Sequence, residues 1–327
     1  MDPRTRLEAE FSQWYQVPYV LATASGTSAY LAALLAARSC RRGQVVLSAY
    51  NWPQLAAVPR ALGYRVRMVD CDSEGRILET EVERALDVPT SAVIVSHLFG
   101  NPANCRRIAA STAQHGALLI EDCSQALLAS QGGRKVGTWG CFGFASLGRG
   151  KLLSAVEGGL LWTHSRELFR IAFALTQHPD RAPDAGLGEM CLTDSMSLRM
   201  HPVGAERALS DMRDVDERAI RLSANIEFLR GQLAGTPGVR MVDVYTDAAP
   251  RWQHFPFVSE REPSPSLDDL LSEHLPAQRV TRSKRYRNAA QFDRQVRFGK
   301  ITRRWAYVRT SHLSRVAQEI AAAYGSA

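Results

Sequence analysis

The stretch from Ser146 to Gly159, SLGRGKLLSAVEGG, sets Lys151 in a glycine-rich turn between two apolar runs. Glycines around a lysine first suggest a nucleotide loop of the pattern G-x-x-x-x-G-K-[ST], whose backbone cradles phosphates and whose hydroxyl meets Mg²⁺. That pattern fails here. Its first glycine position holds Ala145 and its hydroxyl position holds Leu152. Lys151 is then either a solvated lysine in a connection or a lysine given room by small neighbours to approach some other group.

Working outward, CFGFAS (141–146) and GLLWT (159–163) are strand-like on either side of the turn. Upstream, apolar runs alternate with helical patterns. VPYVLAT precedes the helix of Tyr30, Leu31, Leu34 and Leu35; QVVLSAY precedes PQLAAVPRAL; YRVRMVD and AVIVSHLFG precede NPANCRRIAASTAQHG; ALLIED (117–122) follows. Leu7, Phe11 and Trp14 space out a first amphipathic helix over 4–15. The alternation predicts an α/β fold with a mainly parallel sheet covered by helices on both faces. From about Ala205 the pattern changes to one long helical run through ERALSDMRDVDERAIRLSANIEFLRGQL. Two short strand-like pieces, VRMVDVYT and QHFPFVS, and a last helix near 312–324 follow it. We therefore expect a large α/β domain over 1–205 and a small C-terminal α+β domain over 206–327.

The composition, 45% hydrophobic and 22% charged over 327 residues, is that of a globular protein with a substantial core. The N-terminal MDPRTRLEAEF carries charge where a signal peptide needs an apolar stretch, so the expected location is cytoplasmic. The six cysteines form no C-x-x-C pair and the eight histidines no H-E-x-x-H motif, so we expect no metal site and no disulfide framework. The net charge of +7 is local in origin: from Arg279 to Trp305 there are ten Lys or Arg against the single acid Asp293.

In open α/β sheets ligands bind beyond the carboxyl ends of strands. Three chemical groups fall there. Ser25-Gly26-Thr27 follows a strand and opens a helix, where it either caps the helix or holds a phosphate on backbone N–H groups and the positive helix end. Asp122, in Glu121-Asp122-Cys123-Ser124-Gln125, ends the run ALLI; a carboxylate there caps a helix, ligates a metal or pairs with a cationic group of a ligand. Ser146 and Lys151 supply a hydroxyl and an amine one turn apart. A phosphate site, a carboxylate and a lysine in this order are what pyridoxal 5'-phosphate needs. The lysine takes the aldehyde as a Schiff base, the carboxylate keeps the pyridine nitrogen protonated, and the helix start holds the phosphate.

With these motifs the chain resembles the sugar aminotransferases of the DegT/DnrJ/EryC1/StrS group, pyridoxal phosphate enzymes of fold type I. The likeness rests on Ser25 to Ala29, on Trp52, on the turn Val95-Ser96-His97-Leu98-Phe99-Gly100-Asn101-Pro102, on Glu121-Asp122 with Gln125, and on Ser146, Lys151 and Glu157-Gly158-Gly159. It implies that Lys151 links the cofactor and Asp122 pairs with its ring nitrogen. Gln125 would lie near the ring hydroxyl, Trp52 would stack on the ring, and Gly26, Thr27 and Ser146 would bind phosphate. It also implies a homodimer in which Ser197, in the place of the family's asparagine, reaches the partner subunit's cofactor phosphate. His97 is expected as a satisfied structural histidine.

The chain departs from the family at Leu147, which replaces an aromatic, at Val156, which replaces a glycine, and at Asn288-Ala289-Ala290, which replaces Pro-Leu-His. The expected function is an aminotransferase that moves an amino group from glutamate or glutamine to a keto-sugar, cyclitol or related natural-product intermediate. The basic segment 279–305 suggests that this acceptor is anionic. The alternatives are another pyridoxal phosphate reaction, such as dehydration or elimination on a non-sugar substrate, or a non-catalytic protein binding the cofactor or nucleic acid. Family members that dehydrate carry histidine in place of the lysine. No helix-turn-helix, zinc or RNP pattern accompanies the basic segment.

Overall fold

The computed structural model describes residues 1–40, 43–188, 195–259, 296–300 and 310–325. Its elements run α1 (Pro3–Tyr15), β1 (Tyr19–Thr23), α2 (Gly26–Cys40), β2 (Gln44–Ser48), α3 (Gln54–Ala61), β3 (Val66–Val69), α4 (Glu79–Ala85), β4 (Thr90–Ser96), α5 (Cys105–Gln114) and β5 (Leu118–Asp122). There follow β6 (Ser130–Gln131), β7 (Arg134–Lys135), β8 (Phe142–Ser146), β9 (Gly159–Thr163), α6 (Arg166–Thr176), α7 (Pro202–Met212), α8 (Val215–Leu233), β10 (Val239–Met241), β11 (Ala248–Ala249), β12 (His254–Ser259), β13 (Val296–Lys300) and α9 (Thr310–Gly325).

Seven strands form the main sheet in the order β1-β9-β8-β5-β4-β2-β3. The pairs from β8 to β3 are parallel, and β9 pairs antiparallel with both β8 and β1, so β9 alone runs against the other six. Alternation along each strand sends side chains to opposite faces. Val45, Leu47, Ala92, Ile94 and Ile120 pack under α2, α3 and α6. Val46, Val93, Val95 and Leu119 pack under α4 and α5. At the other end of that second face, Val20, Ala145, Leu160 and Trp162 meet α1 and α7. The strands read as unbroken apolar runs because both faces are covered.

Helix α1 begins where Asp2 caps Arg4 N (2.8 Å) and Pro3 sets the first turn, and it ends at Gln16 in the left-handed region. Its buried stripe is Leu7, Phe11 and Tyr15. Trp14 lies at the edge of that stripe, where its Nε1 donates to Asp216 (3.2 Å).

The long helical run expected after Ala205 is two helices, α7 and α8, separated at Arg213 and Asp214. No glycine or proline marks the break. Asp211, near the end of α7, is instead turned inward, where it accepts from Ser154 N (2.9 Å) and pairs with the buried Arg218 of α8 (3.1 Å). Helix α7 shares its core with α1 and the main sheet, so the boundary expected at 205/206 falls inside a helix of the first lobe's core.

Beyond it, α8, β10, β12 and α9 bury Leu222, Ile226, Trp252, Phe255, Phe257 and Val316 together with Tyr50, Leu98 and Phe99 of the first lobe. Strands β10, β12 and β13 pair antiparallel. Strand β11 pairs with β6, a second seam to the first lobe that the sequence pattern did not signal. Except for the backbone of β13, the basic segment 279–305 lies outside the described residues.

Candidate active site

A cavity of about 310 Å³ opens at the carboxyl ends of β5 and β8. Of the residues singled out in the sequence, Gly26, Thr27, Trp52, Asp122, Gln125, Ser146 and Lys151 all line it. They arrive from four separate stretches of chain, 26–27, 52, 122–125 and 146–151, each at a strand end, in the loop after it or at the start of a helix. The parallel sheet brings such loops to one edge.

The end of the cavity at Gly26 and Ser146 is built by close approach. An ideal Cβ on Gly26 would lie 2.7 Å from Ser146 Cβ and 2.8 Å from its Cα, so only glycine lets the start of α2 reach the end of β8. Ser25 Oγ accepts from Ser28 N (3.0 Å) and closes the first turn of α2. That first turn contains no acid, so its positive end is not neutralised from within the helix. Both expected roles of Ser25-Gly26-Thr27 are thus compatible: Ser25 caps, while Gly26 and Thr27 face the cavity. Ser146 Oγ accepts from Gly148 N (3.3 Å) and folds the turn leading to Lys151. Gly150 takes φ +84, a conformation in which other side chains are strained, and this sets the turn of which Lys151 N donates to Gly148 O (3.2 Å).

Asp122 ends β5, and its Oδ1 accepts from Ser124 N (2.9 Å). Tyr30 stands nearby, stacked on Phe144 (5.3 Å between ring centres), and its hydroxyl donates to Leu55 O (2.9 Å). Burial, with the Asp122 charge adding to it, pushes the Tyr30 phenol well above its usual range. Gln125 Oε1 accepts from Phe99 N (2.7 Å), so its amide N–H groups are what it can offer a bound molecule. Trp52 is 45% exposed, which rules out a plain core role and leaves its ring at the rim.

These residues fit pyridoxal phosphate: a glycine-tightened helix start for the phosphate, a carboxylate at a strand end for the ring nitrogen, and an amine on the facing turn. The cavity suits a group of that size.

Ser197 does not line the cavity of its own chain. It is exposed, at φ +52, and its Oγ accepts from Arg199 Nη1 (2.8 Å).

His97, Cys105 and Glu121 lie within ligand distance of one another directly behind Asp122. Their hydrogen bonds describe a closed knot. His97 Nδ1 accepts from Ala103 N (3.1 Å), so its proton sits on Nε2, which donates to Glu121 Oε2 (3.1 Å). Glu121 also accepts from Gly137 N and Gly140 N, each at 2.7 Å. Burial, and then the Glu121 charge, hold the Cys105 thiol well above its usual range, so it stays protonated. His97 is accordingly a satisfied structural residue.

The sequence did not point to Gln253 and His254, which reach the cavity from the second lobe, nor to Tyr30, Ser124 and Phe144. His254 opens β12 and Gln253 immediately precedes it, and nothing in QHFPFVS separates them from an ordinary strand start.

With a central sheet reversed only at β9 and the cavity at its carboxyl edge, the fold is that of the type I pyridoxal phosphate transferases. The chain belongs to the DegT/DnrJ/EryC1/StrS aminotransferase family, whose model matches residues 2–302. It is similar to the L-glutamine:2-deoxy-scyllo-inosose aminotransferase of Micromonospora echinospora, 31% identical over 64% of this chain and 49% of that protein. The enzyme of the same name from Streptoalloteichus tenebrarius is 32% identical over 70% of this chain and 56% of that one. The chain spans about half the length of the curated relatives it matches. Among solved structures, 3-amino-5-hydroxybenzoic acid synthase superposes over all of this chain and 92% of its own, with a TM-score of 0.87 and 21% identity. Among the described residues no helix is long and apolar enough to cross a membrane.

Proposed function

We propose that this protein is a pyridoxal-phosphate-dependent aminotransferase that takes an amino group from glutamine or glutamate and delivers it to the carbonyl carbon of a small keto-cyclitol or keto-sugar. The observation that carries this reading is the convergence of Lys151, Asp122 and the Gly26-Thr27 helix start on one cavity. When bound, the cofactor supplies an electron-withdrawing ring that makes the donor's α-proton acidic. The remaining work falls to the chain. Gly26, Thr27 and Ser146 would hold the phosphate, Asp122 would hold the proton on the ring nitrogen, Gln125 would bind the ring's edge and Trp52 would cover its face. Lys151 Nζ, the amine that would link the cofactor, would also be the base that takes the proton from the donor α-carbon. Its protonated form would then supply the proton that the former carbonyl carbon of the acceptor needs.

The acceptor class is supported by the name of the two curated relatives given above, both L-glutamine:2-deoxy-scyllo-inosose aminotransferases. The proposal extends to a homodimer in which Ser197 contributes to the partner's site, and to an anionic acceptor drawn by the segment 279–305. It also places the protein in a reducing cytoplasm, which suits the buried thiols Cys71, Cys105 and Cys123.

The test is incubation with pyridoxal phosphate, then borohydride reduction and peptide mapping, alongside a screen of keto-cyclitols and keto-sugars with glutamine. An adduct on Lys151 and an aminated product are expected. An adduct elsewhere, or none, overturns the assignment. An adduct on Lys151 with no transfer to any acceptor points to a different reaction on the same cofactor. Light scattering checks the dimer, and a fully active monomer removes the shared-site proposal.

A further inference from the structure

We propose that Gln253 is a positioning residue that fixes the main chain beside Lys151 against the loop of Asp122, so that the second lobe sets where the amine stands. This inference rests on the aminotransferase reading of the cavity.

Gln253 is 5% exposed and lines the cavity. With its amide oriented to match its neighbours, the carbonyl oxygen accepts from Leu152 N (2.8 Å) and the NH₂ group donates to Ser124 O (3.2 Å). The first contact is to the residue next to Lys151, the second to the residue two beyond Asp122. One side chain therefore spans the two loops that carry the amine and the carboxylate. On its other side, Leu152 O accepts from Arg218 Nη2 (2.9 Å), and Arg218 is anchored on Asp211 (3.1 Å). Both main-chain polar groups of Leu152 are thus gripped by side chains from beyond residue 200.

The grip is itself held in register. Gln253 N donates to Phe99 O (2.9 Å) and Arg251 N to Gly100 O (3.0 Å), so residues 251–253 lie along the 99–100 turn as a strap. An ideal Cβ on Gly100 would stand 2.1 Å from Arg251 O, which makes the approach of the strap depend on that glycine. Phe99 N in turn donates to Gln125 Oε1 (2.7 Å). Gln253 therefore joins three loops of the site: 97–101, 122–125 and 148–152.

The chemistry needs this because Lys151 has a long, rotatable stem, and its reach is defined only if its backbone is fixed. A misplacement of about 1 Å at a reacting group costs on the order of a hundredfold in rate. An amide is suited to the task because it offers an acceptor at one end and a donor at the other. A protonated carboxylic acid has the same two-ended pattern, whereas a carboxylate is acceptor-only and would face Ser124 O with like charge.

The test uses the full chain carrying Gln253→Leu or Gln253→Glu. Hydrogen exchange of the peptide spanning 147–158 is measured with and without pyridoxal phosphate. Single-turnover kinetics with glutamine and the pH titration of the absorbance of the lysine-bound cofactor complete it. Gln253→Leu is expected to bind cofactor and glutamine close to normally, to lose roughly ten- to a hundredfold in single-turnover rate, and to exchange faster in 147–158. The pH midpoint of its cofactor absorbance is expected to shift. Gln253→Glu is expected to regain rate relative to the native protein as the pH falls and its carboxyl protonates. A purely structural glutamine would alter thermal stability and leave the pH midpoint and the rate–affinity split unchanged.

Unchanged exchange and an unchanged midpoint in Gln253→Leu overturn the proposal. So does a Gln253→Glu profile parallel to the native one, which decides the matter alone if the leucine variant does not fold. Absence of any cofactor linkage in the native protein would instead overturn the aminotransferase reading, and the exchange measured without cofactor would still decide whether Gln253 clamps the loop.

Discussion

At the end of β5 two neighbouring carboxylates face opposite sides of the sheet and lead opposite lives. Glu121 is fully buried and accepts from Gly137 N, Gly140 N and His97 Nε2. Asp122, one residue on, lines the cavity, and its Oδ1 accepts from the main chain of Ser124. The strand's period of two separates them. A carboxylate saturated by donors is part of the scaffold, whereas one facing a cavity keeps acceptor capacity for a ligand. The same contrast holds for the two glycine-rich turns that meet them: 137–140 spends its N–H groups on Glu121, and 148–151 presents Lys151.

Substitutions on the two sides of the sheet should therefore separate chemistry from stability. The largest effect is expected for Lys151→Ala, which would remove both the proposed covalent anchor and the proposed proton carrier. Amino transfer should fall by about a thousandfold or more while the thermal midpoint of the cofactor-free protein stays near that of the native chain. A large loss of stability would show the turn to be scaffold after all. On the far side, Glu121→Ala leaves two main-chain donors and His97 unsatisfied in the interior, at about 1–3 kcal/mol each before relaxation. A loss of about 3 kcal/mol in denaturant unfolding is expected, and a neutral result would break the contrast between the two carboxylates.

Asp122→Asn keeps size and most hydrogen bonding but removes the charge that would hold the ring nitrogen protonated. A fall of about a hundredfold in the donor half-reaction, equivalent to about 2.7 kcal/mol, is expected with little change in unfolding. An unchanged rate would make Asp122 a structural residue like its neighbour.

The smallest effect concerns Val156, a β-branched residue held at φ +72 and 48% exposed beside Glu157. Val156→Gly relieves that strain but frees the unfolded chain. A net gain below about 1 kcal/mol is expected, read as a rise of a degree or two in thermal midpoint. A clear loss would mean that the isopropyl group makes a contact worth more than the strain.

The strand and helix order of the first lobe was legible because each element carries its own period and its own turn chemistry. The cavity-lining residues were legible because loops after parallel strands share one edge, so Ser25-Gly26-Thr27, Asp122 and Lys151 could be assembled from their positions alone. Trp14 was drawn into the stripe of α1 by spacing, yet Tyr15 is the residue buried there, since the helical period admits either and packing against Trp162 selects one. The break between α7 and α8 was invisible because it is made by the buried Asp211–Arg218 pair and not by a glycine or proline.

What the sequence determined by itself is what depends on near neighbours: the strand–helix alternation, the glycines that shape the Lys151 turn, and the carboxylate at the end of β5. What only the tertiary structure decided is which distant groups support and complete the site. His97 was tied to Glu121 in the scaffold behind it, and Gln253 was brought between Leu152 and Ser124 by a strap from the second lobe. Such contacts join residues far apart in the chain. Their geometry depends on how whole layers pack, for which a single sequence carries no local period or spacing to read.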